Sequence, residues 1–247
     1  MMPQCSRMVD APRWPRVQSR AMAHPATPAT LVFSAIQQHR LVAVIRAAQP
    51  AAALEAARAV IRGGIALVEV TYSVPDAPTV MQQLVREAHP GVLVGAGTVL
   101  TATEAQVALD AGARFFIAPN VSAAVAGVAR ETGTFYCPGA YTTNEILHAV
   151  DMGAHLVKVY PVGVAGGPDY IKVIRDPLPR VPLLAAGGTH LDNIVPFYAA
   201  GCVACGIGGA LADPALAAAG RFAEIEARAR AFVARAASFA PASPART

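Results

Sequence analysis

The sequence predicts an α/β protein, a single (β/α)8 TIM barrel with an extra N-terminal helix. Three observations predict it. Short apolar runs alternate with amphipathic stretches from Leu31 to about Ala236. Glycines or capping residues punctuate nearly every junction. The spacing leaves room for a helical crossover between successive strands, which makes the strands parallel. Eight such units in a chain of 247 residues fit one compact barrel.

The elements follow in order. Residues 31–40 form a helix ahead of the first strand and would cover the barrel bottom. Strands are expected at 41–46, 66–71, 92–97, 114–119, 134–138, 155–161, 182–187 and 202–208. Helices are expected near 51–63, 76–88, 103–111, 121–132, 142–152, 168–175 and 191–200, with a last one from about 214 to 236. Thr101-x-x-Glu104 and Thr142-x-x-Glu145 read as capping boxes. Gly63-Gly64, Gly112, Gly133, Gly153 and Gly201 mark helix ends. The alternative, an open doubly wound sheet, lacks a Gly-x-Gly-x-x-Gly signature after its first strand.

Composition narrows the function. The chain is 54% hydrophobic and 15% charged, so a large core is available. Its apolar runs all fall short of the roughly 20 residues a membrane span requires. Of the net charge of +4, residues 1–30 supply +3, through Arg7, Arg13, Arg16 and Arg20 against Asp10. No basic stripe with interleaved aromatics remains, so neither nucleic acid nor membrane is expected as a partner. Residues 1–29 read as a disordered tail or a misassigned start, with Met22 as the internal candidate. Residues 30–237 are the barrel, and 238–247 a flexible C-terminal tail.

Cys5, Cys137, Cys202 and Cys205 fit a reducing cytoplasm. Cys202-x-x-Cys205 lies in a strand-like run, where residues three apart face opposite sides. It reads as small buried residues and not as a metal or redox pair. The histidines are scattered, so no metal site is expected. No cofactor is expected either.

Polar residues collect at the C-terminal strand ends, where function sits in this fold. Two of the twenty Lys and Arg residues are lysines, and one of them, Lys158, stands in the apolar run His155–Pro161. Arginine cannot replace a lysine that must lose its proton and attack a carbonyl. Burial among Val and Tyr also disfavours the ammonium form. Lys158 is therefore the Schiff-base candidate, against the alternative of a lysine reaching along the strand to solvent. Glu69 is the one carboxylate within a strand run. A lone buried charge needs a partner or a task, and a structural Glu–Lys ion pair is the competing explanation. Arg46, ending strand 1, can grip a carboxylate in a planar fork. Thr98 can donate a hydroxyl to it. Pro119 and Tyr160 end strands 4 and 6. Gly187-Gly188 and Gly208-Gly209 follow strands 7 and 8, where bare backbone can approach a phosphate. No strand end offers a His or Asp to face Glu69, which disfavours an isomerase or epimerase.

These segments together resemble the class I 2-keto-3-deoxy-6-phosphogluconate (KDPG) and 4-hydroxy-2-oxoglutarate aldolases. The resemblance rests on Val42–Arg46, Val68–Ala77, Val94–Leu100, Ile117–Asn120, Cys137-Pro138-Gly139, Val157–Pro161, Gly187-Gly188 and Gly206–Gly209. The related 6-phosphogalactonate aldolases also share a segment like Gly167–Lys172. The resemblance implies a homotrimeric barrel acting on a small 2-oxo acid. It implies Lys158 as the Schiff-base lysine, Glu69 as proton shuttle, and Arg46 with Thr98 near the pyruvate carboxylate. The glycines at 187, 188, 208 and 209 would hold the phosphate end. Three departures stand out. Ser73 stands where some members carry an Arg, and Ala186 and Gly209 where many carry a Thr and a Ser, so two hydroxyls able to contact phosphate are missing. A non-phosphorylated substrate, or a non-catalytic keto-acid-binding barrel, stays open on these residues.

Overall fold

The protein is described by a computed structural model covering residues 28–240. The expected N-terminal tail with Cys5 and Met22, and most of the C-terminal one, fall outside the described residues. Along the chain run α1 (Pro28–His39), β1 (Leu41–Ile45), α2 (Pro50–Arg62), β2 (Leu67–Thr71), α3 (Ala77–Glu87), β3 (Leu93–Gly97), α4 (Ala102–Asp110), β4 (Phe115–Ile117) and α5 (Ala123–Thr132). Then come β5 (Phe135–Cys137), β6 (Gly139–Ala140), α6 (Thr143–Asp151), β7 (Val157–Val159), α7 (Pro168–Arg175), β8 (Leu183–Ala186), α8 (Ile194–Ala199), β9 (Ala204–Ile207), α9 (Pro214–Ala218) and α10 (Phe222–Ala237).

All pairings are parallel, in the order β5-β4-β3-β2-β1-β9-β8-β7-β6. The two ends of that order are one strand of the sequence, interrupted at Pro138. Proline has no N–H for the ladder, so its strand splits into β5, paired with β4, and β6, paired with β7. The Pro138 carbonyl still accepts from Lys158 N at 2.9 Å, and Tyr136 O accepts from His155 N at 3.0 Å. The ring is thereby closed, and the open doubly wound alternative is excluded.

The last helix differs from expectation. It breaks into α9 and α10 at Gly220, which takes φ +69°. Helix starts behave as read: Glu104 N donates to Thr101 Oγ1 at 3.1 Å and Thr101 N to Glu104 Oε2 at 3.1 Å. Thr142 and Glu145 make the same reciprocal pair.

Two apolar layers follow from the period of two along each strand. Outward residues such as Ala43, Ile45, Val68 and Val70 pack against helix residues including Val60, Val80 and Leu84. Inward residues Val42, Leu67, Phe115, Phe135 and Leu184 form a separate cluster, closed from below by Val32 and Ile36 of α1. Each large side chain buried there contributes about 1.5–3 kcal/mol. The cluster fills the lower barrel and leaves only its upper mouth for chemistry. At the other terminus, Phe239 packs against Tyr198 at 5.6 Å between ring centroids.

Among the described residues no helix is long and apolar enough to cross a membrane.

Candidate active site

Above the apolar plug the inward positions turn polar. On β2 the inward series is Leu67, Glu69, Thr71; on β7 and its continuation it is Leu156, Lys158, Tyr160. Leu156 and Tyr160 belong to the inner cluster, so Lys158 between them points the same way. Glu69 and Lys158 are 1% and 5% exposed, and they project from opposite sides of the ring.

They do not close into an ion pair. Glu69 Oε2 is buried without a hydrogen-bond partner. Burial raises the carboxyl's pKa above its ordinary value, and the charges of Lys158 and Arg46 oppose that rise. A structural salt bridge would have satisfied this oxygen. A buried acceptor left open is costly, and in a cavity-facing carboxylate it marks room for a hydroxyl or a water.

Lys158 Nζ sits 4.9 Å from the Tyr160 ring centroid. That ring lies against Gly187, where a Cβ would stand 2.9 Å from Tyr160 Cδ2. Beside Lys158 opens a cavity of about 350 Å³. Its wall includes Val44, Arg46 and Tyr160. Its outer end is made by Gly187, Gly188, His190, Gly208 and Gly209. The Arg46 guanidinium lies over Gly208, where a Cβ would meet Nη1 at 3.4 Å.

Of the residues singled out in the sequence, Lys158, Arg46, Tyr160 and the four glycines thus share one cavity. Glu69 lies across the barrel behind it, within electrostatic reach of Lys158 and Arg46. Thr98 and Pro119 follow β3 and β4 and are outside this wall. Thr98 is held at φ +57°, a rare conformation for a β-branched residue and a mark of local strain. Pro119 backs onto Gly139, whose Cβ would be 2.2 Å from the Pro119 carbonyl oxygen. Ser73 hydrogen-bonds through its hydroxyl to Thr71 at 2.7 Å.

His190 was not expected there. The strand end expected from the sequence closes at Gly187-Gly188-Thr189 and holds no histidine, yet the following turn brings His190 to the cavity. The signal was its place two residues beyond the glycine pair. Thr189 is buried and donates to Gly206 O at 2.7 Å.

Lys172 differs from Lys158 in every respect. Its side chain is 62% exposed and pairs with Asp169 at 2.7 Å. Among the described residues the cysteines, Cys137, Cys202 and Cys205, are free and buried. Cys202 precedes β9 instead of lying in it, so the opposite-face argument does not apply. Burial decides the matter instead: it pushes the Cys202 thiol up to about 12 and Cys205 well above its usual value. Among the described residues no group of three or more His, Cys, Asp or Glu is placed to hold a metal ion.

A buried amine, a carboxylate with an open acceptor and a cavity ending in bare backbone suit covalent catalysis on a carbonyl substrate with an anionic tail. Known proteins share the sequence pattern and the fold. The profile of the KDPG and KHG aldolases matches residues 32–228. A probable 2-dehydro-3-deoxy-6-phosphogalactonate aldolase of Rhizobium meliloti is 34% identical over 72% of this chain and 84% of its own. A 2-dehydro-3-deoxy-phosphogluconate aldolase of Treponema pallidum is 33% identical over 68% of this chain and 80% of its own. A crystal structure of Legionella pneumophila KDPG aldolase, with pyruvate captured at low pH as a covalent carbinolamine, superposes with a TM-score of 0.72 at 26% identity. That superposition covers 83% of this chain and 97% of the other.

Proposed function

This chain belongs to the KDPG and KHG aldolase family and is a class I carbon–carbon lyase, and from that premise we propose that Lys158 and Glu69 carry its chemistry on a 4-hydroxy-2-oxo acid. The observation that carries the assignment is the unpaired Glu69 carboxyl facing the same interior as the buried Lys158 amine.

The neutral amine of Lys158 attacks the C2 ketone and forms a carbinolamine. Loss of its hydroxyl as water, with Glu69 delivering the proton, leaves an iminium ion. Glu69, now a carboxylate, takes the C4 hydroxyl proton. The C3–C4 pair moves into the iminium, the aldehyde departs, and an enamine remains. Protonation at C3 and hydrolysis return pyruvate and free Lys158. The raised pKa of Glu69 suits a group that must both give and take a proton near neutrality. Arg46, just after β1, balances the substrate carboxylate, with Thr98 just after β3, on the far side of β2.

The substrate we favour is a 2-keto-3-deoxy-6-phospho sugar acid of the gluconate or galactonate series, with 4-hydroxy-2-oxoglutarate as a second substrate. Support comes from the relatives' activities and from the glycine-lined outer end of the cavity. Rates on the two phosphorylated epimers and on hydroxyoxoglutarate, measured side by side, rank them and report the C4 preference.

The deciding experiment is incubation with pyruvate and borohydride, followed by peptide mapping. A reduced pyruvate adduct on the Lys158 peptide is expected. An adduct confined to Lys172, or none, overturns the assignment and leaves a keto-acid-binding barrel. We further propose a cytoplasmic homotrimer. The free cysteines among the described residues support the reducing compartment, and exposed apolar residues such as Val164 and Val173, 80% and 66% exposed, support the assembly. Sedimentation should give three times the 25.4 kDa chain mass; a monomer at micromolar concentration rejects the assembly.

A further inference from the structure

We infer that His190 is a specificity residue, the side chain that reads the far anionic group of the substrate and favours a phosphate-ended 2-oxo acid over a carboxylate-ended one. This rests on the aldolase reading above and extends it to a residue outside the catalytic pair.

The outer wall of the cavity is poor in side-chain donors. Ala186 and Gly209 bring no hydroxyl, and the Thr189 hydroxyl is committed to Gly206 O at 2.7 Å. The Tyr160 ring is turned against Gly187. Arg46 reaches over Gly208 from the first strand. At the Gly187-Gly188 end His190 also lines the cavity, and its side chain is the one there that carries a ring N–H.

That imidazole stands on a fixed backbone. His190 N donates to Asn193 Oδ1 at 2.8 Å, and Asn193 Nδ2 donates to Gly188 O at 2.8 Å. The Asn193 amide therefore clamps the glycine pair and the histidine into one turn. None of these bonds uses the His190 side chain, which is 53% exposed, with Nδ1 3.8 Å from Asp192 Oδ2. Nδ1 faces Asp192, which leaves Nε2 as the nitrogen that can meet a ligand while the Cα is held. In either protonation state the imidazole offers an N–H donor, and two when protonated.

The two substrate types place their second anion differently. A six-carbon acid esterified at its last carbon carries a phosphate far from the ketone. Hydroxyoxoglutarate carries a carboxylate nearer to it. A donor at the outer end serves the first and reaches the second poorly.

The test compares kcat/KM on the phosphate-ended and carboxylate-ended substrates for wild type, His190→Ala and His190→Gln. The ratio between the substrates should fall about tenfold in His190→Ala, the lower end for one hydrogen bond to a charged group at a half-exposed position. The change should lie in KM, and His190→Gln should recover part of it by keeping an N–H. Both variants keep the backbone bonds, so folding is not at issue. An unchanged ratio, equal losses on both substrates, or a wild type that ignores phosphate-ended acids overturns the inference. Failure of the underlying reading is separate, since it appears as no pyruvate–borohydride adduct on Lys158 of the wild type, and it removes both.

Discussion

Gly97, paired with Thr71 across the β2–β3 ladder, makes room for the Glu69 carboxyl: a Cβ on Gly97 would lie 2.9 Å from Glu69 Cδ and 3.1 Å from Oε2. The same Cβ would also meet Thr71 Cγ2 at 2.9 Å. Absence of a side chain on β3 is what gives the carboxyl its place in the barrel.

Gly97→Ala should therefore act on turnover more than on binding. Displacing a proton-transfer group by about 1 Å costs on the order of a hundredfold. Overpacking adds about 1–3 kcal/mol of lost stability. Steady-state kinetics beside a denaturant titration separates the two. A variant of normal kcat would show that Glu69 has slack in its position.

Gly95, two residues earlier on the same face, protects a different neighbour. Its Cβ would fall 2.2 Å from Phe115 Cε2, inside the apolar plug and below the site. Gly95→Ala should cost stability at or above the upper end of about 1–3 kcal/mol. Phe115→Leu frees that volume, so the double variant should lose less than the sum of the singles by about 1 kcal/mol or more. Simple additivity in urea midpoints would mean that the ring is not what the glycine accommodates.

These two glycines show what the sequence conveys and what it withholds. Gly95-Ala96-Gly97 is legible as the end of a strand, because period and punctuation are local. That one glycine receives a phenyl ring and the other a carboxyl depends on the register of β3 against β2 and β4, which no local pattern encodes. The closure at Pro138 is similar: the proline is visible, but the pairing of its two halves with different neighbours is a property of the ring. Lys158 and Glu69 were legible because a charge in an apolar strand is anomalous wherever it occurs. His190 was not, because a histidine in a polar turn is ordinary until the turn is seen to wrap over the cavity. The break at Gly220 was passed over because α9 and α10 continue one helical pattern on both sides of it.

The two lysines offer an internal control. Lys158→Arg should abolish turnover and adduct formation, since guanidinium stays protonated and cannot form the imine. Lys172→Arg, an exposed helix residue paired with Asp169, should keep most activity. Activity retained in the first or lost in the second would reverse their roles.

Glu69→Gln should lower kcat by about two to four orders of magnitude, the scale of one acid–base group. Adduct formation with pyruvate should slow as well, because dehydration of the carbinolamine also draws on this carboxyl. A near-normal rate in cleavage would move the proton shuttle elsewhere.

The same substitution tests the electrostatics of the folded state. Burial raises the Glu69 pKa above its ordinary 4.5, against the pull of Lys158 and Arg46. Above pH 4.5 the unfolded chain has released this proton while the native one still holds it. Stability attributable to Glu69 is thus full below that pH and declines as pH rises through the native pKa. Glu87, Glu145 and Glu226, all lowered by hydrogen bonds or ion pairs, lose their contributions only on the acid side of 4.5. His155 is lowered by burial from 6.5, so its contribution rises with pH and overlaps the Glu69 window. The readout is therefore the difference in unfolding free energy between wild type and Glu69→Gln. That difference should be level below pH 4.5 and turn against the wild type above it. A difference that stays flat to neutrality would mean that Lys158 and Arg46 fully offset the burial of the carboxylate, and that Glu69 enters the reaction already ionised.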